Sequence, residues 1–129
     1  MVTVSQADHR DSGAWHAADD FAQHVYRVTW KFVQSDPGLA QRMRGAAISI
    51  AAQIAEACRW HAGGRRRRAL QNASAAVGEL SYYLHFARRA GLLGENDLRR
   101  MAALGHDVER QLDFLLSSSR SSGTADPQE

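Results

Sequence analysis

The sequence predicts an all-α fold, an antiparallel up-down-up-down bundle of four helices. Apolar residues recur every three or four positions through four long segments, which is the spacing that places them on one face of a helix. The only two prolines, Pro37 and Pro127, lie outside these segments. The connections between the segments are a few residues long, so consecutive helices have to run in opposite directions.

The first two helices are bounded by residues that commonly begin or end helices. The first is predicted over about 14–33, with Ser12 as its N-cap, and the Ser-Asp-Pro-Gly sequence at 35–38 ends it. The second is predicted over about 39–62, and Gly63-Gly64 stops it. The apolar face of this second helix consists of Leu39, Met43, Ala46, Ala47, Ile50, Ile54, Ala57 and Cys58.

The third helix carries the most regular apolar repeat and is predicted over about 65–90. Gly91 follows it as a C-cap, where glycine adopts a left-handed conformation at little cost. The fourth helix is predicted over about 95–117. The polar ends, 1–11 and 118–129, are rich in Ser, Asp and Gly and are predicted to be disordered.

The second helix carries small residues around most of its circumference. One bundle core covers a single stripe of a helix, so a second apolar face needs another partner, most simply a neighbouring copy of the chain. The sequence therefore predicts a homo-oligomer, although alanine is also simply a good helix former. The predicted subunit interface consists of Ile48, Ser49, Ala52, Gln53, Ala55 and Glu56.

A run of four arginines opens the third helix, directly after the glycine pair. Arginine binds phosphate groups, and an oligomer would repeat the cluster in every subunit and strengthen weak contacts. No aromatic stacking platform is visible beside the run, so we expect binding that ignores base sequence. The alternative is a solvated turn with no ligand. The predicted nucleic-acid-binding residues are Arg59, Arg65, Arg66, Arg67 and Arg68.

The sequence carries no recognisable catalytic or metal-binding motif. It lacks a Gly-x-Ser-x-Gly elbow, a P-loop and a dinucleotide fingerprint, and its six histidines show no ligand spacing. A di-iron bundle would need four carboxylates and Glu-x-x-His motifs, which are missing. We therefore expect a protein that is not an enzyme, with no cofactor and no metal. An enzyme would require an active pocket around Glu56 and Glu79.

The single cysteine, Cys58, permits no internal disulfide and suits a reducing compartment. The N-terminal residues show no basic segment followed by an apolar run, so no secretory signal is predicted. The longest apolar run, 45–55, is too short for a bilayer, which requires about 20 residues. We expect a cytoplasmic protein without a membrane partner.

The segment QRMRGAAISIAAQIAEACR at 41–59 resembles a known family signature. The family is that of the bacterial four-helix-bundle proteins named after intervening sequences of large-subunit ribosomal RNA. Its pattern runs Gln-x-x-Arg, then Ser-Ile, then Asn-Ile-Ala-Glu-Gly and a basic residue. Gln53 replaces the Asn of this pattern, and Ala57 replaces the Gly. The matching residues are Gln41, Arg44, Ser49, Ile50, Ile54, Ala55, Glu56 and Arg59.

A second stretch of similarity lies at 73–93, in the third predicted helix. It resembles the family's Ala-x-Gly-Ser-x-x-Glu-Leu segment and the helix end that follows, with Ala75 and Ala76 in place of Gly-Ser. The resemblance covers about 14–116. The matching residues here are Ala73, Glu79, Leu80, Leu84, Ala87 and Gly91.

The resemblance implies a four-helix bundle that assembles into a homopentameric barrel. It also implies kinship with the accessory variability determinant of diversity-generating retroelements, which binds nucleic acid and a reverse transcriptase. The implied partners are further copies of the chain, RNA or DNA, and a nucleic-acid enzyme such as a reverse transcriptase. The leading hypothesis is thus a nucleic-acid-associated accessory factor. The alternative is a structural or protein-interaction scaffold with no nucleic-acid role, because a shared fold does not establish a shared function.

Overall fold

The computed structural model describes residues 12–123, and this part of the chain is all α-helical, with no strand. The all-α prediction is therefore confirmed. Of the ends predicted to be disordered, 1–11 and 124–129 lie outside the described residues. The helices are α1 (Gly13–Thr29), α2 (Pro37–Ala57), α3 (Gly64–Arg89) and α4 (Glu95–Gly123).

The four helices pack in a closed ring around one core. Within 12–123, α2 packs beside α1 and α3, and α4 packs beside the same two helices, whereas the backbones of the diagonal pairs stay apart. Each helix contributes an apolar stripe to the centre, as a four-helix bundle requires. No helix in the described range is long and apolar enough to span a bilayer. The largest fully buried apolar side chains are Val25, Val28, Met43, Ile50, Ile54, Leu70, Leu80, Met101, Val108 and Leu112.

Helix α1 begins as predicted and ends four residues earlier than predicted. The Ser12 hydroxyl accepts a hydrogen bond from the Trp15 backbone N–H at 3.3 Å, so Ser12 is the N-cap. At the other end the Thr29 hydroxyl donates to the Val25 carbonyl at 2.8 Å. The following residues form tight turns, in which the Phe32 N–H donates to the Thr29 carbonyl at 3.0 Å. These turns replace the last predicted turn of the helix.

Helix α2 also ends early, at Ala57 rather than near 62. Its start is well defined, because Pro37 occupies the first position and the Asp36 carboxylate accepts from the Leu39 N–H at 3.1 Å. After Ala57 the backbone tightens, with the Trp60 N–H donating to the Ala57 carbonyl at 3.1 Å. The predicted stop at Gly63-Gly64 is therefore the beginning of α3.

Two glycines make the turns at the ends of α3. Gly63 precedes the helix with φ of 97°, and Gly91 follows it with φ of 75°, values that favour glycine. At the C-terminal end the Leu92 N–H donates to the Ala87 carbonyl at 2.9 Å, and the Gly91 N–H donates to the Arg88 carbonyl at 3.0 Å. This pair of bonds is a Schellman motif, so the predicted glycine cap is present.

Helix α4 continues to Gly123, six residues beyond its predicted end. The prediction that the tail is disordered from 118 onward is therefore wrong for 118–123. The polar composition suggested disorder, but no proline or glycine interrupts 106–122. Serine costs a helix only about 0.5 kcal/mol relative to alanine, so the established helix propagates through the serines.

Arg44 extends from α2 to the end of α1. Its Nε donates to the Thr29 hydroxyl at 2.8 Å and its Nη2 donates to the Tyr26 carbonyl at 3.1 Å. The guanidinium also lies 4.3 Å from the centre of the Tyr26 ring, a favourable cation–π distance. Arg44 thus adds a further donor to the Tyr26 carbonyl, which already accepts from the Trp30 N–H at 3.2 Å.

We predict that Arg44→Met lowers the free energy of unfolding by about 1–3 kcal/mol, because it removes two hydrogen bonds and a cation–π contact from the end of α1. Urea denaturation followed by circular dichroism measures the change. Arg99→Met is the matched control, since Arg99 is exposed on α4 and bonds only to Asn96 one turn earlier. The control should cost less than about 0.5 kcal/mol. Equal losses in the two variants would contradict the capping role.

His24 lies on α1 where α4 packs against it, and its Nε2 is buried without a hydrogen-bond partner among the described residues. Burial lowers the pKa of His24, and the positive charges of Arg100, Arg27 and Lys31 lower it further. Asp97 opposes these effects without outweighing them. The folded protein therefore disfavours the protonated imidazole.

This histidine should make stability depend on pH. Because the folded pKa of His24 lies below the ordinary 6.5, the unfolded chain binds the proton first as the pH falls. We expect the free energy of unfolding to decrease as the pH drops below about 6.5. The His24→Leu change should remove this decrease. His85→Leu, on the exposed surface of α3, is the control. Denaturation at a series of pH values measures this dependence. If the free energy of unfolding changes with pH by the same amount in wild type and in His24→Leu, the assignment is refuted.

Candidate nucleic-acid interface

The predicted binding arginines surround Trp60 at the hairpin between α2 and α3. Arg59 follows the end of α2, and Arg65–Arg68 occupy the first turn of α3. The Arg65 guanidinium lies 4.7 Å from the centre of the indole, and the Arg59 guanidinium lies 5.9 Å from it. The hairpin therefore brings an aromatic ring into the arginine cluster, although no stacking platform was expected from the sequence.

Glu56 fixes the indole and takes up one of the charges. Its Oε2 accepts a hydrogen bond from the Trp60 Nε1 at 3.3 Å, and its Oε1 lies 3.6 Å from the Arg59 Nη1. Arg59 is thus paired with a carboxylate three residues earlier, at an exposed position where such a pair contributes little to stability. Its charge is less available to an external phosphate than that of an unpaired arginine.

The Arg66 side chain turns towards the end of α2 and donates hydrogen bonds to its backbone. Its Nη1 donates to the carbonyl of Ala57 at 3.2 Å and to the carbonyl of Trp60 at 3.3 Å. The side chain is half-buried. Arg66 satisfies carbonyl groups at a helix end, as Arg44 does for α1. Within the described residues, its guanidinium binds backbone carbonyls and not a side chain, unlike those of Arg59 and Arg65.

The other three arginines of the run have no acidic partner among residues 12–123. Within the part of the chain that the structure describes, no carboxylate lies in salt-bridge distance of Arg65, Arg67 or Arg68. Arg65 and Arg68 are exposed and Arg67 is partly exposed. The N-cap residue Gly63 has no side chain, and the first turn of α3 contains no acidic residue. The partial positive charge of the helix end therefore adds to the three guanidinium charges.

A groove between α2 and α3 opens beside this cluster. Its volume is about 300 Å³, and most of its lining is polar. The Asn72 amide of α3 donates to the Gln53 amide oxygen of α2 at 3.5 Å, at the outer limit of a hydrogen bond. We call this feature the α2–α3 groove. It is lined by Gln53, Glu56, Trp60, Arg65, Arg68, Ala69 and Asn72.

Asn72 lines this groove but is not among the site residues predicted from the sequence. A signal was present, since Gln53 lies ten residues before Gly63 and Asn72 lies nine residues after it. Residues at equal distances from the turn of a helical hairpin lie side by side when the helices are antiparallel neighbours. Pairing positions across the turn would therefore have pointed to both amides.

The apolar members of the predicted subunit interface lie on an exposed face shared with α1. Ile48 is 48% exposed, Ala52 is exposed, and Ala55 is partly buried. Tyr26 of α1 borders the same shallow depression, which has a volume of about 380 Å³. Trp30, just beyond α1, is 72% exposed. We call this surface the α1–α2 face.

The polar members of the predicted interface have a different environment. Gln53 bonds to Asn72 and Glu56 bonds to Trp60, so both are engaged within the chain at the α2–α3 groove. Ser49 is half-buried. The six predicted interface residues therefore do not form one patch, because the apolar three border α1 while Gln53 and Glu56 border α3.

The two carboxylates considered for catalysis have local hydrogen-bond partners. Glu79 accepts from the Tyr83 hydroxyl at 2.5 Å, one turn later on the same helix, and this bond raises the pKa of Tyr83. Glu56 accepts from Trp60, as described. In the described range no three His, Cys, Asp or Glu side chains lie close enough together to hold a metal ion.

Comparison with known proteins assigns the family. The model of the family described as 23S rRNA-intervening sequence protein matches residues 10–113, a range that includes α1 to α3 and most of α4. No curated protein matches the chain. The matched family is the one that the segment at 41–59 resembles. The chain therefore belongs to the family of 23S rRNA-intervening sequence proteins.

Proposed function

We propose that this protein is a non-enzymatic accessory factor that binds RNA or DNA through Arg65, Arg67 and Arg68. The observation that carries the proposal is that these three guanidinium groups have no carboxylate partner among the described residues. An arginine without an internal partner keeps its full charge for phosphate, and its fork of donors suits phosphate oxygens. The N-terminal end of α3 adds positive potential at the same place.

We further propose that the helices run antiparallel. Lys31, just after α1, forms an ion pair of 2.6 Å with Asp97 in the first turn of α4. At the opposite end, Gly13 at the start of α1 lies beside the Gln111 side chain of α4. The start of α4 therefore lies at the end of α1, and a later turn of α4 lies at the start of α1, as antiparallel helices require. The short turn between α2 and α3 supports the same arrangement for that pair.

The α1–α2 face supports assembly into a homo-oligomer. Ile48, Tyr26 and Trp30 expose apolar surface that the bundle core does not cover, and Ala52 between the larger groups would let a second helix approach closely. A homopentamer is the assembly that the family resemblance implies. Several copies of Arg65, Arg67 and Arg68 would then act together on one polyanion, so weak contacts would add up by avidity.

A protein-interaction scaffold is the second candidate function. The observation that favours it is a set of exposed aromatic side chains away from the arginines. Tyr82 and Phe86 of α3 are 59% and 46% exposed, and Phe114 of α4 is 70% exposed. Large aromatic side chains are enriched at protein interfaces, so these positions suit a protein partner such as a nucleic-acid enzyme.

The combined variant Arg65→Gln, Arg67→Gln, Arg68→Gln tests nucleic-acid binding. We expect it to reduce affinity for RNA at least about tenfold at about 50 mM salt, because phosphate contacts dominate affinity at low salt. The slope of log affinity against log salt should become shallower by about 2, since each lost contact removes about 0.7–0.9. Fluorescence anisotropy with labelled RNA measures both.

Two control variants sharpen this test. The first, Arg99→Gln, Arg100→Gln, Arg110→Gln, removes the same charge from exposed positions on α4 and should leave affinity nearly unchanged. The second, Arg66→Gln, should lower the free energy of unfolding by about 1–2 kcal/mol and leave the salt slope unchanged, because Arg66 serves backbone carbonyls. Equal losses in the two triple variants, or no binding by the wild type at low salt, would reject the proposal.

Assembly is tested on the α1–α2 face. Ala52→Arg and Ile48→Glu each place a charge on its apolar centre, so we expect either change to convert the oligomer into monomers. Size-exclusion chromatography with light scattering gives the mass. Ala75→Arg, at an exposed position of α3, is the matched control and should leave the mass unchanged. A monomeric wild type, or assembly that survives both changes, would show that this face is not the interface.

A further inference from the structure

We propose that the α2–α3 groove binds an unpaired nucleobase against the Trp60–Arg65 pair, so that the protein prefers single-stranded nucleic acid. This inference rests on the proposed function, because it takes the same arginines as the phosphate contacts. It adds a requirement that phosphate binding alone does not have. The ligand must present a base that is free to leave its stack.

The Trp60–Arg65 pair offers a prearranged stacking surface. The guanidinium lies 4.7 Å from the indole centre, and the indole Nε1 donates to Glu56 at 3.3 Å. The Trp60 carbonyl is held by Arg66 at 3.3 Å, so both ends of the residue are fixed. Unpaired bases stack on aromatic rings and on arginine planes alike. A base can therefore stack either on the Trp60 ring or on the Arg65 guanidinium.

The groove has the size and the polar groups that a base requires. Its volume of about 300 Å³ lies at the lower end for pockets that hold small organic ligands. The amides of Gln53 and Asn72 share one long hydrogen bond of 3.5 Å, which leaves most of their donors and acceptors free. Base edges present donors and acceptors in the same way once the base is unpaired.

The charges lie where the sugar-phosphate backbone would pass. Arg65 and Arg68 line the groove on the side of α3, whereas Arg67 is not among its lining residues. A nucleotide whose base enters the groove would carry its phosphate to the guanidinium groups of Arg65 and Arg68. A duplex has the same phosphates, but its bases remain stacked and paired, so it could use the arginines and not the groove.

The test compares three probes, of which the two single strands carry the same sugar-phosphate backbone. They are an RNA strand of uridines of about 12 nucleotides, within the range of known single-strand sites, an abasic strand of that length, and a duplex of that length. The wild type should bind the uridine strand about tenfold more tightly than the abasic strand. Trp60→Ala should remove this difference, and Trp60→Phe should keep most of it, because phenylalanine retains a stacking face.

Two further variants separate the groove from the charge and from folding. Gln53→Ala with Asn72→Ala should weaken binding of the uridine strand and leave the salt slope unchanged, since it removes no charge. Phe114→Ala, at an exposed aromatic residue of α4 outside both the groove and the α1–α2 face, is the control and should bind as the wild type does. In a Trp15→Phe, Trp30→Phe protein the emission of Trp60 should be quenched by the uridine strand and not by the abasic strand.

The outcomes distinguish this inference from the proposed function. If the wild type binds all three probes equally, and that binding still depends on Arg65, Arg67 and Arg68, only the inference fails. The inference alone also fails if Trp60→Ala lowers the affinity for the uridine strand and for the abasic strand by the same factor. If no probe binds at low salt, both proposals fail together.

Discussion

Arginine side chains bind the C-terminal ends of two of the four helices, and the hairpin that carries the candidate site depends on one of them. The carbonyls concerned, of Tyr26 and Ala57, each accept one backbone N–H from the turn that follows and have room for a second donor. Arg44 of α2 donates to the end of α1, and Arg66 of α3 donates to the end of α2. Because Arg66 also holds the Trp60 carbonyl, the contact that ends α2 keeps the indole beside Arg65. Structure and candidate function therefore share one side-chain contact.

The segment that reveals the family consists largely of residues with structural roles. Arg44 caps α1, Ile50 and Ile54 are completely buried in the core, and Glu56 orients Trp60. A match to such residues indicates how the chain folds, because each meets a packing or hydrogen-bonding requirement of the bundle. It does not by itself identify a ligand. The case for nucleic acid rests instead on Arg65, Arg67 and Arg68, which lie outside this segment.

The helices could be predicted from sequence because their apolar residues follow the helical period, which is a local property. Three of the helix ends could not, since α4 runs six residues past its predicted end and two other helices stop early. Helices α1 and α2 stop four and five residues before their predicted ends, at Thr29 and Ala57, and both ends are bound by an arginine of the next helix. Similarly, the arginine cluster is evident in sequence, whereas the position of Trp60 within it depends on the hairpin. A contact between two helices across a turn does not change the apolar pattern of either helix, so it cannot be predicted from that pattern.

Helical geometry explains why four consecutive arginines have different roles. Successive residues of an α-helix point about 100° apart, so a run of four cannot present all its side chains to one surface. Arg66 lies one turn before the fully buried Leu70, so its guanidinium has to find partners near the bundle, and the α2 carbonyls provide them. Arg65 and Arg68, three residues apart, share the face that borders the groove. A single subunit thus offers few phosphate contacts, which is why binding through this run gains most from repetition in an oligomer.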